Sequence, residues 1–486
     1  MLSLPPPAGP APLGARTFSL DDQQAFALLS GDANPMHVDP TAARRLMTGR
    51  PVVHGIHSLL LALESLPAAE LASLQALTCE FPNPVSVGER TALRLTRGAD
   101  GGTEIQTLVE ELVCTRVKLN PAAATPATAA AQPDQPAEVL ELPAEPLDRP
   151  PAAWAGTRQV MQLPEAAFGA AFPRLCAHWG SGRVAAIALL STYVGMICPG
   201  MHSVFASLEL EPGEPATGPL TFTVGRYDPR FKLFSVDFSG PVRGRLRAFQ
   251  RPPRQEQAPM ASLLPMLPAQ RWRGRSAWVL GGSRGLGELA AKLAAAGGAD
   301  VALTYATGQA DAQRVVADID EAGRGSAAAW ALDVMHEDWT RWLEGKPLPD
   351  ALLYFASPRI FRKKAALLDA DQLQEFMDCY VHRFAALCLA LEARAERPIT
   401  VFVPSTVFID ERPRGMTEYA MAKSAAEVLA ADLGRSLQWL RFAVHRLPKL
   451  ATDQTATVMG ARTASNVEVL LPLVASVLEA DAPPAG

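Results

Sequence analysis

The sequence has few cysteines for its length, six among 486 residues. They are scattered along the chain and no two form a CxxC pair, so the sequence predicts neither a disulfide framework nor a cysteine zinc site. We therefore expect reduced thiols in a cytoplasmic protein.

The chain also has no excess of basic residues. Its net charge of -5 and its pI near 6.0 argue against nucleic acid or an anionic membrane as the main partner.

Long apolar runs are also missing. The first residues contain no apolar segment behind a basic start, so we expect no secretory signal. The longest apolar run, residues 184–197, is interrupted by Ser191, Thr192 and Tyr193 and is too short to span a bilayer, so no membrane insertion is predicted. The hydrophobic fraction of 48% nevertheless allows large cores, and the length predicts two or three domains.

Two stretches rich in proline divide the chain. Residues 120–153 and 251–270 are predicted to be linkers, because their proline and alanine content disfavours a packed core. The remaining segments, 1–119, 154–250 and 271–486, are each long enough to fold.

The stretch SGDANPMHVDP, residues 30–40, places a carboxylate, an amide and an imidazole close together. Pro35 disfavours helical angles at Asn34, so residues 32–37 are predicted to form a loop. A later apolar helix begins near Gly55, and the free N–H groups of a helix's first turn can meet a ligand carbonyl. A carboxylate, an imidazole and such donors are the groups that the addition of water to a polarised double bond requires.

The segment FALLSGDANPMHVDPTAARRLMTGRPVVHG, followed by FPNPVSVGERTALRL, resembles the MaoC-like family of (R)-specific enoyl-thioester hydratases and dehydratases. The resemblance implies a hotdog fold, in which an antiparallel sheet wraps a long helix. It also implies that Asp32 and His37 are the acid/base pair, that Asn34 supports the loop and that the Gly55 N–H polarises the thioester carbonyl.

Two other interpretations of this stretch are open. Asp32 and Asn34 could form Asx turns beside a structural histidine. Alternatively, Asp32 and His37 could join His54 and His57 in a metal site, but the spacing is not of the zinc type and no metal is predicted.

Residues 154–250 contain an apolar helix followed by strand-like runs, and PGMHSVFASLELE resembles the strand after the hotdog helix of the same family. This segment has no counterpart of the acid/base motif, and His178 and His202 are interpreted as structural. The prediction is a second, non-catalytic hotdog that completes a double hotdog, a unit that would otherwise need a dimer. The sequence leaves open whether the whole chain forms a homodimer.

The segment SAWVLGGSRGLGELAAKLAAAGGADVALTYA predicts a strand, a glycine-rich turn, a helix and a strand. Its glycines would let a pyrophosphate approach the helix N-terminus. The residues of this turn predicted to bind the cofactor are Gly281, Ser283, Arg284, Gly285, Leu286 and Gly287.

Tyr419 and Lys423 are four residues apart and would share one face of a helix. An ammonium beside a phenol favours the phenolate, so we expect the Tyr419 pKa to fall below its reference of about 10. Tyr419 is therefore the predicted proton donor to a carbonyl that receives hydride.

These features resemble the short-chain dehydrogenase/reductase family over residues 272–460. The resemblance implies a catalytic role for Tyr419, a ribose-binding role for Lys423 and adenine contacts from Asp333 and Val334. Either Ser405 or Thr406 would hydrogen-bond the substrate oxygen. Departures from the family pattern are Tyr354–Ser357 (YFAS) and Tyr380, which stand where the family has asparagines. A slow or purely structural reductase therefore remains an alternative.

The second strand of this segment ends without a carboxylate for a ribose 2′-hydroxyl, whereas Arg284 could pair with a 2′-phosphate, so the predicted cofactor is NADP(H). The predicted fold is an α+β double hotdog followed by an α/β Rossmann-type doubly wound parallel sheet.

The predicted function is 3-ketoacyl reduction coupled to (R)-3-hydroxyacyl dehydration or enoyl hydration. The substrate would be an acyl thioester on CoA or acyl carrier protein. Two alternatives are degradative hydration followed by oxidation, and a scaffold that binds nucleotide without turnover.

Overall fold

The computed structural model describes residues 11–98, 102–121, 136–362, 366–455 and 464–480. The chain forms two compact units, and the boundary between them lies between Pro253 and Arg254. Residues 1–119 and 154–250 therefore belong to one unit. The boundary falls inside the predicted linker 251–270, so Arg251 is part of the first unit.

The first unit is built on one sheet of eleven strands, with the order β1-β3-β4-β5-β2-β8-β11-β10-β9-β7-β6. All neighbouring strands are antiparallel except β6 and β7. The strands are β1 (Ala11–Thr17), β2 (Leu77–Glu80), β3 (Arg90–Arg97), β4 (Thr103–Val109), β5 (Leu112–Leu119), β6 (Glu138–Val139), β7 (Arg158–Met161), β8 (Ser203–Pro212), β9 (Leu220–Asp228), β10 (Leu233–Ser239) and β11 (Val242–Gln250).

The sheet contains the same strand order twice. The first half follows β1-β3-β4-β5-β2, and the second follows β7-β9-β10-β11-β8 when read from its outer edge. The two halves meet where β2 and β8 pair, from Leu77 opposite Leu210 to Glu80 opposite Ser207. A single sheet therefore joins the two halves, which have equivalent topology.

Each half packs one apolar helix against this sheet. α4 and α8 are apolar on nearly all sides, as expected for enclosed helices, and both belong to a single hydrophobic core with the strands. The helices of the unit are α1 (Leu20–Ser30), α2 (Pro35–Val38), α3 (Pro40–Ala43), α4 (Gly55–Glu64), α5 (Ala68–Ala72), α6 (Phe168–Ala171), α7 (Pro173–Trp179) and α8 (Ser181–Thr192). A π-helical segment, Tyr193–Ile197, continues α8.

The predicted linker 120–153 is ordered into the sheet over part of its length. Residues 122–135 lie outside the described residues, but β6 pairs with β7 and the Leu147 N–H donates to Met196 O at 2.8 Å. Leu140 and Leu147 also pack against the core. The apolar side chains in this segment explain why it is held on the second half rather than acting as a free spacer.

The second unit has a parallel sheet of six strands in the order β14-β13-β12-β15-β16-β17. This is the 3-2-1-4-5-6 order of Rossmann-type folds, whose ligands bind where the order reverses, here between β12 and β15. The strands are β12 (Ser276–Leu280), β13 (Asp300–Tyr305), β14 (Ser326–Ala331), β15 (Ala351–Tyr354), β16 (Ile399–Thr406) and β17 (Leu440–Leu447).

Helices cover both faces of this sheet, which confirms the predicted doubly wound α/β architecture. One core contains α10, α11 and α17, and the other contains α13, α14 and α16. The helices are α9 (Met260–Leu263), α10 (Gly285–Ala296), α11 (Gln309–Ala322), α12 (Trp339–Leu343), α13 (Ala370–Met377), α14 (Arg383–Glu392), α15 (Phe408–Glu411), α16 (Thr417–Ser436) and α17 (Asn466–Glu479).

The cysteines and the apolar helices bear on two expectations, reduced thiols and the absence of a membrane-spanning segment. All six cysteines are free thiols. In the described residues no single helix is long and apolar enough to cross a membrane. One pair of helices bent by 114°, Pro173–Trp179 with Ser181–Ile197, meets the length and composition criteria when taken together.

Candidate active sites

Local capping signals shape the loop that carries Asp32. A capping box between Ser19 and Asp22 begins α1, and Gly31 ends this helix with a positive φ of 81°. Asn34 then caps the short helix that begins at Pro35. The loop brings Asp32 and His37 together, with their reactive atoms within 4.8 Å, and both residues are buried, at 1% and 9% exposure.

The Asp32 carboxylate lies against the helix of the second half. Its Oδ2 accepts a hydrogen bond from Ser191 Oγ at 2.6 Å, and its Oδ1 accepts one from the Asn34 N–H at 3.3 Å. A Cβ on Gly195 would lie 2.2 Å from Asp32 Oδ1, so only glycine permits this approach. Burial raises the Asp32 pKa, while the His37 charge and the Ser191 hydrogen bond lower it. These opposing effects are typical of a carboxyl group that changes protonation during a reaction.

The second half also holds the loop in place. Asn34 Nδ2 donates to Gly195 O at 2.8 Å and to Gly200 O at 3.3 Å, and the Thr192 hydroxyl donates to Ser30 O. Gly195 lies in the π-helical segment, a feature often found at functional sites. The sequence predicted a second half without an acid/base motif, but it did not predict that this half would hold the loop that carries Asp32. The sequence feature that could have indicated this contact is the pair of hydroxyl residues, Ser191 and Thr192, which interrupts the longest apolar run.

The orientation of His37 follows from one hydrogen bond. Its Nδ1 lies 2.7 Å from Val52 O, an acceptor, so Nδ1 carries the proton and Nε2 is left with a lone pair. The His54 ring stacks on His37, with 3.9 Å between centroids. Burial lowers the His37 pKa, whereas the Asp32 charge raises it. His37 is therefore favoured as a neutral imidazole whose lone pair is on Nε2.

His54 has both ring nitrogens next to oxygen acceptors. Nδ1 lies 2.9 Å from Gln23 Oε1, which also accepts from the His54 N–H at 3.0 Å, and Nε2 lies 3.0 Å from Asp32 O. Asp32, His37 and His54 are close enough to suggest a metal site. The surroundings of His54 oppose that interpretation, because each of its ring nitrogens lies within 3.0 Å of a protein oxygen, and Asp32 and His37 alone are fewer ligands than a zinc site uses. His57, the fourth candidate, instead stacks on Phe26.

Gly55 is the first residue of α4, and no acceptor among the described residues takes its N–H. The residue is partly exposed, and a Cβ there would lie 3.0 Å from the Phe81 ring. A partly open helix N-terminus of this kind can donate to a ligand oxygen.

The glycine-rich turn of the second unit fits a dinucleotide pyrophosphate. Gly281 has a φ of 80°, and a Cβ on it would lie 2.7 Å from Ala356 N. A Cβ on Gly287 would lie 2.2 Å from Gly281 O, so glycine is needed for helix and strand to pack closely. Gly285, with a φ of 60°, begins α10, and the turn leads directly into the N-terminus of this helix.

Two other predicted cofactor residues, Arg284 and Asp333, have partners within the protein. Arg284 caps α10, and its Nη1 lies 3.9 Å from Asp453 Oδ2. Asp333 accepts hydrogen bonds from the Met335 N–H and from His336 Nδ1, at 3.0 and 2.9 Å. Any 2′-phosphate would therefore compete with Asp453 for the Arg284 guanidinium.

The expected effect of Lys423 on Tyr419 was wrong. Burial raises the Tyr419 pKa, with a smaller opposing effect of the Thr406 hydrogen bond, and burial lowers the Lys423 pKa to about 8. Lys423 Nζ donates to Pro404 O at 2.8 Å and lies 3.8 Å from the Tyr380 ring centroid, but 5.7 Å from that of Tyr419. Of the two tyrosine rings, that of Tyr380 is therefore the nearer to the Lys423 ammonium.

The structure distinguishes between the two candidate hydroxyl residues. Ser405 Oγ donates to Glu427 Oε1, whereas the Thr406 side chain interacts with Tyr419 and lowers its pKa against the larger effect of burial. The Tyr380 hydroxyl lies 2.5 Å from Ser357 Oγ, so the two positions that depart from the family pattern contact each other. Ser405 is thus engaged by Glu427, and Thr406 is the one of the two that interacts with Tyr419.

The first unit buries Asp32 and His37 against His54, the N-cap residue of α4, and the second is a Rossmann-type unit with a glycine-rich turn. The chain thus combines two enzyme-type units. Residues 8–115 match the family model described as MaoC like domain, and the N-terminal region therefore contains a MaoC-like dehydratase domain.

A curated relative agrees with that assignment over a short stretch. The peroxisomal hydratase-dehydrogenase-epimerase of Saccharomyces cerevisiae is 35% identical over 68 residues. The match covers 14% of this chain and 7% of the yeast protein.

Solved structures similar to the chain are short-chain dehydrogenases. One from Burkholderia cenocepacia, in complex with NADP, is 27% identical over 43% of this chain and 91% of its own, with a TM-score of 0.38. A short-chain dehydrogenase/reductase from Serratia marcescens is 22% identical with the same coverage and TM-score. A blue fluorescent protein from a metagenomic library, in complex with NADPH, is 23% identical over 43% of this chain and 91% of its own, with a TM-score of 0.37. The Rossmann-type assignment rests on the strand order rather than on these similarities.

Proposed function

We propose that the chain is a bifunctional acyl-thioester enzyme. Its first unit would dehydrate (R)-3-hydroxyacyl thioesters or hydrate enoyl thioesters, and its second would reduce 3-ketoacyl thioesters with NADPH. The observation that carries the proposal is the buried Asp32–His37 pair beside the open Gly55 N–H. The repeated strand order supports a double hotdog over residues 1–119 and 154–250.

The hydrogen bonds suggest distinct roles for the acid/base pair. In dehydration, neutral His37 would take the proton alpha to the thioester through Nε2, because its Nδ1 proton is held by Val52 O. Asp32, whose pKa is raised by burial, would protonate the leaving hydroxyl. The Gly55 N–H would stabilise the developing enolate oxygen. Hydration reverses these roles, with the Asp32 carboxylate activating water.

The second unit would act on the ketone that precedes this step. Its glycine-rich turn and α10 N-terminus would hold the pyrophosphate, Arg284 the 2′-phosphate, and Asp333 and Val334 the adenine side. NADPH supplies hydride when bound. Tyr419, with Thr406 beside it, would donate the proton to the carbonyl oxygen, and Lys423 would bind the ribose.

The two reactions share an intermediate, the 3-hydroxyacyl thioester, which gives the fusion a chemical reason. Reduction followed by loss of water would yield the trans-2-enoyl thioester. The reducing cofactor favours this biosynthetic direction over degradative hydration and oxidation. CoA and acyl carrier protein are both suitable carriers for such a substrate.

The experiment is mass spectrometry of the products formed by the purified full chain from NADPH and a short 3-ketoacyl thioester. We expect an enoyl product from the wild type, accumulation of 3-hydroxyacyl thioester in Asp32→Asn, and no reduction in Tyr419→Phe. Unchanged dehydration by Asp32→Asn would refute the hydratase assignment.

The surroundings of Lys423 favour a second candidate, in which the second unit binds nucleotide without turnover. Lys423 faces Tyr380 and Pro404 O rather than Tyr419, and burial raises the Tyr419 pKa. In that case the wild type would bind NADPH, measured by calorimetry, but would not consume it with 3-ketoacyl thioesters.

A further inference from the structure

Arg251, directly after β11, is a partly buried cation that has no anionic partner among the residues that the structure describes. Its Nη2 donates to Met201 O at 2.9 Å, and its Nε is buried without a hydrogen bond. Within the described part of the chain, no carboxylate oxygen forms an ion pair with it. Buried charges are normally paired, because desolvation without compensation is costly.

Arg251 is connected to the Asp32–His37 site by the turn Gly200–His202. Gly200 O accepts from the Asn34 side chain of the catalytic loop, and the next carbonyl, that of Met201, accepts from Arg251. The Arg251 charge also reaches the imidazole: burial lowers the His37 pKa, and Arg251 lowers it further against the opposing effect of Asp32. Two hydrogen bonds to consecutive carbonyls of this turn therefore connect the guanidinium to the loop that carries Asp32 and His37.

His202, on the same turn, has a second unsatisfied group. Its backbone carbonyl accepts from the Arg251 N–H at 2.7 Å, and its Nε2 lies 3.5 Å from Asp148 Oδ2. Its Nδ1 is buried and has no hydrogen-bond partner among the described residues. Among the described residues, Arg251 and His202 thus each have one buried nitrogen without a hydrogen-bond partner, and the two residues are joined by a backbone hydrogen bond.

We propose that Arg251, assisted by His202, binds an anionic oxygen group of the acyl-thioester substrate beside Asp32 and His37. A guanidinium favours carboxylate and phosphate, which it can bind through two parallel hydrogen bonds. The group is either a carboxylate on the acyl chain or a phosphate of the carrier. This inference rests on the proposed hydratase function of the first unit.

The test compares hydration of three enoyl thioesters by the full chain. The first is a neutral enoyl N-acetylcysteamine thioester, the second carries a carboxylate on its acyl chain, and the third is the neutral enoyl group on CoA. Arg251→Met removes the charge while keeping an apolar stem. Arg245→Met is the matched control, because Arg245 lies on β11 but is paired with Asp237 at 2.6 Å.

We expect Arg251→Met to lower kcat/KM by about 10- to 100-fold for the substrate that carries the recognised anion. The neutral N-acetylcysteamine thioester should lose clearly less activity in Arg251→Met than the substrate with the recognised anion, and no substrate should lose activity in Arg245→Met. A loss confined to the acyl carboxylate places the anion on the acyl chain, and a loss confined to CoA places it on the carrier. Equal losses on all three substrates, or no loss on any, would overturn the proposal. Arg251→Gln serves the same purpose if the Met variant does not fold.

A binding measurement separates this proposal from the hydratase assignment. Calorimetric titration with succinate and with coenzyme A should show at least one ligand that binds Arg251→Met about 10-fold or more weakly than the wild type. Equal binding by both proteins would overturn the anion site. Absence of hydration by the wild type, with binding that depends on Arg251, would refute only the hydratase function.

Discussion

Removal of the Ser191 hydroxyl should shift the pH dependence of hydration. Ser191 Oγ donates to Asp32 Oδ2 at 2.6 Å, and this hydrogen bond stabilises the ionised carboxylate. A hydrogen bond to a charged group is worth about 1.5–3 kcal/mol, and one pKa unit corresponds to about 1.4 kcal/mol. Ser191→Ala should therefore raise the apparent pKa of Asp32 by about 1–2 units.

The assay is the pH profile of kcat/KM for hydration, followed by the ultraviolet absorbance of the enoyl thioester. Hydration needs ionised Asp32 to activate water, so the acid limb should move to higher pH by about 1–2 units in Ser191→Ala. Ser191→Thr retains a hydroxyl and should restore the profile. Thr192→Val is the control, because its hydroxyl donates to Ser30 O and does not contact the carboxylate.

A purely structural role for Ser191 predicts a different result. Activity would then fall by the same factor at every pH, and the acid limb would not move. That outcome would refute the argument that the second half tunes the acid/base pair.

Three further predictions concern both units. Because burial raises the Asp32 pKa above 3.8, the folded protein holds that proton more tightly, and stability relative to Asp32→Asn should fall as pH rises above this value. Hydrogen exchange of the α4 amides in the wild type and in Asp32→Asn at matched pH would measure this fall in stability. A difference in unfolding free energy that stays constant with pH would contradict the prediction. Tyr419→Phe should slow ketone reduction by about 100-fold or more with NADPH affinity unchanged, as measured by stopped-flow and calorimetry; reduction at the wild-type rate would indicate another acid. Arg284→Ala should remove most of a preference for NADPH over NADH of about 1.5–3 kcal/mol, and equal wild-type affinity for the two nucleotides would refute that role.

Short-range chemistry made much of the fold predictable. The Ser19–Asp22 capping box, Gly31 and Pro35 determine where α1 ends and where the loop with Asp32 begins, because each acts through neighbouring backbone atoms. The glycines of the turn after β12 act in the same local way, and the parallel sheet follows from alternating strands and helices. The match of residues 8–115 to the MaoC like domain confirms the family resemblance noted in the sequence.

The effects of burial on single groups could not be obtained from spacing. Tyr419 and Lys423 share a helix as predicted, yet the ammonium lies over Tyr380. Desolvation then outweighs the expected electrostatic effect, so the Tyr419 pKa rises instead of falling. Spacing likewise did not indicate that the Ser405 hydroxyl would donate to Glu427.

Contacts between distant segments were decided only by the tertiary structure. Ser191 lies 159 residues from Asp32 along the chain, and the two meet because β2 and β8 join the two halves in one sheet. The same pairing brings Gly195 against the carboxylate and the Gly200–His202 turn against Asn34. A sequence pattern shows only which residues are close along the chain. It therefore identified the candidate reactive residues, which lie in short motifs. The long-range packing determined which partners set their protonation and which described residues surround Arg251.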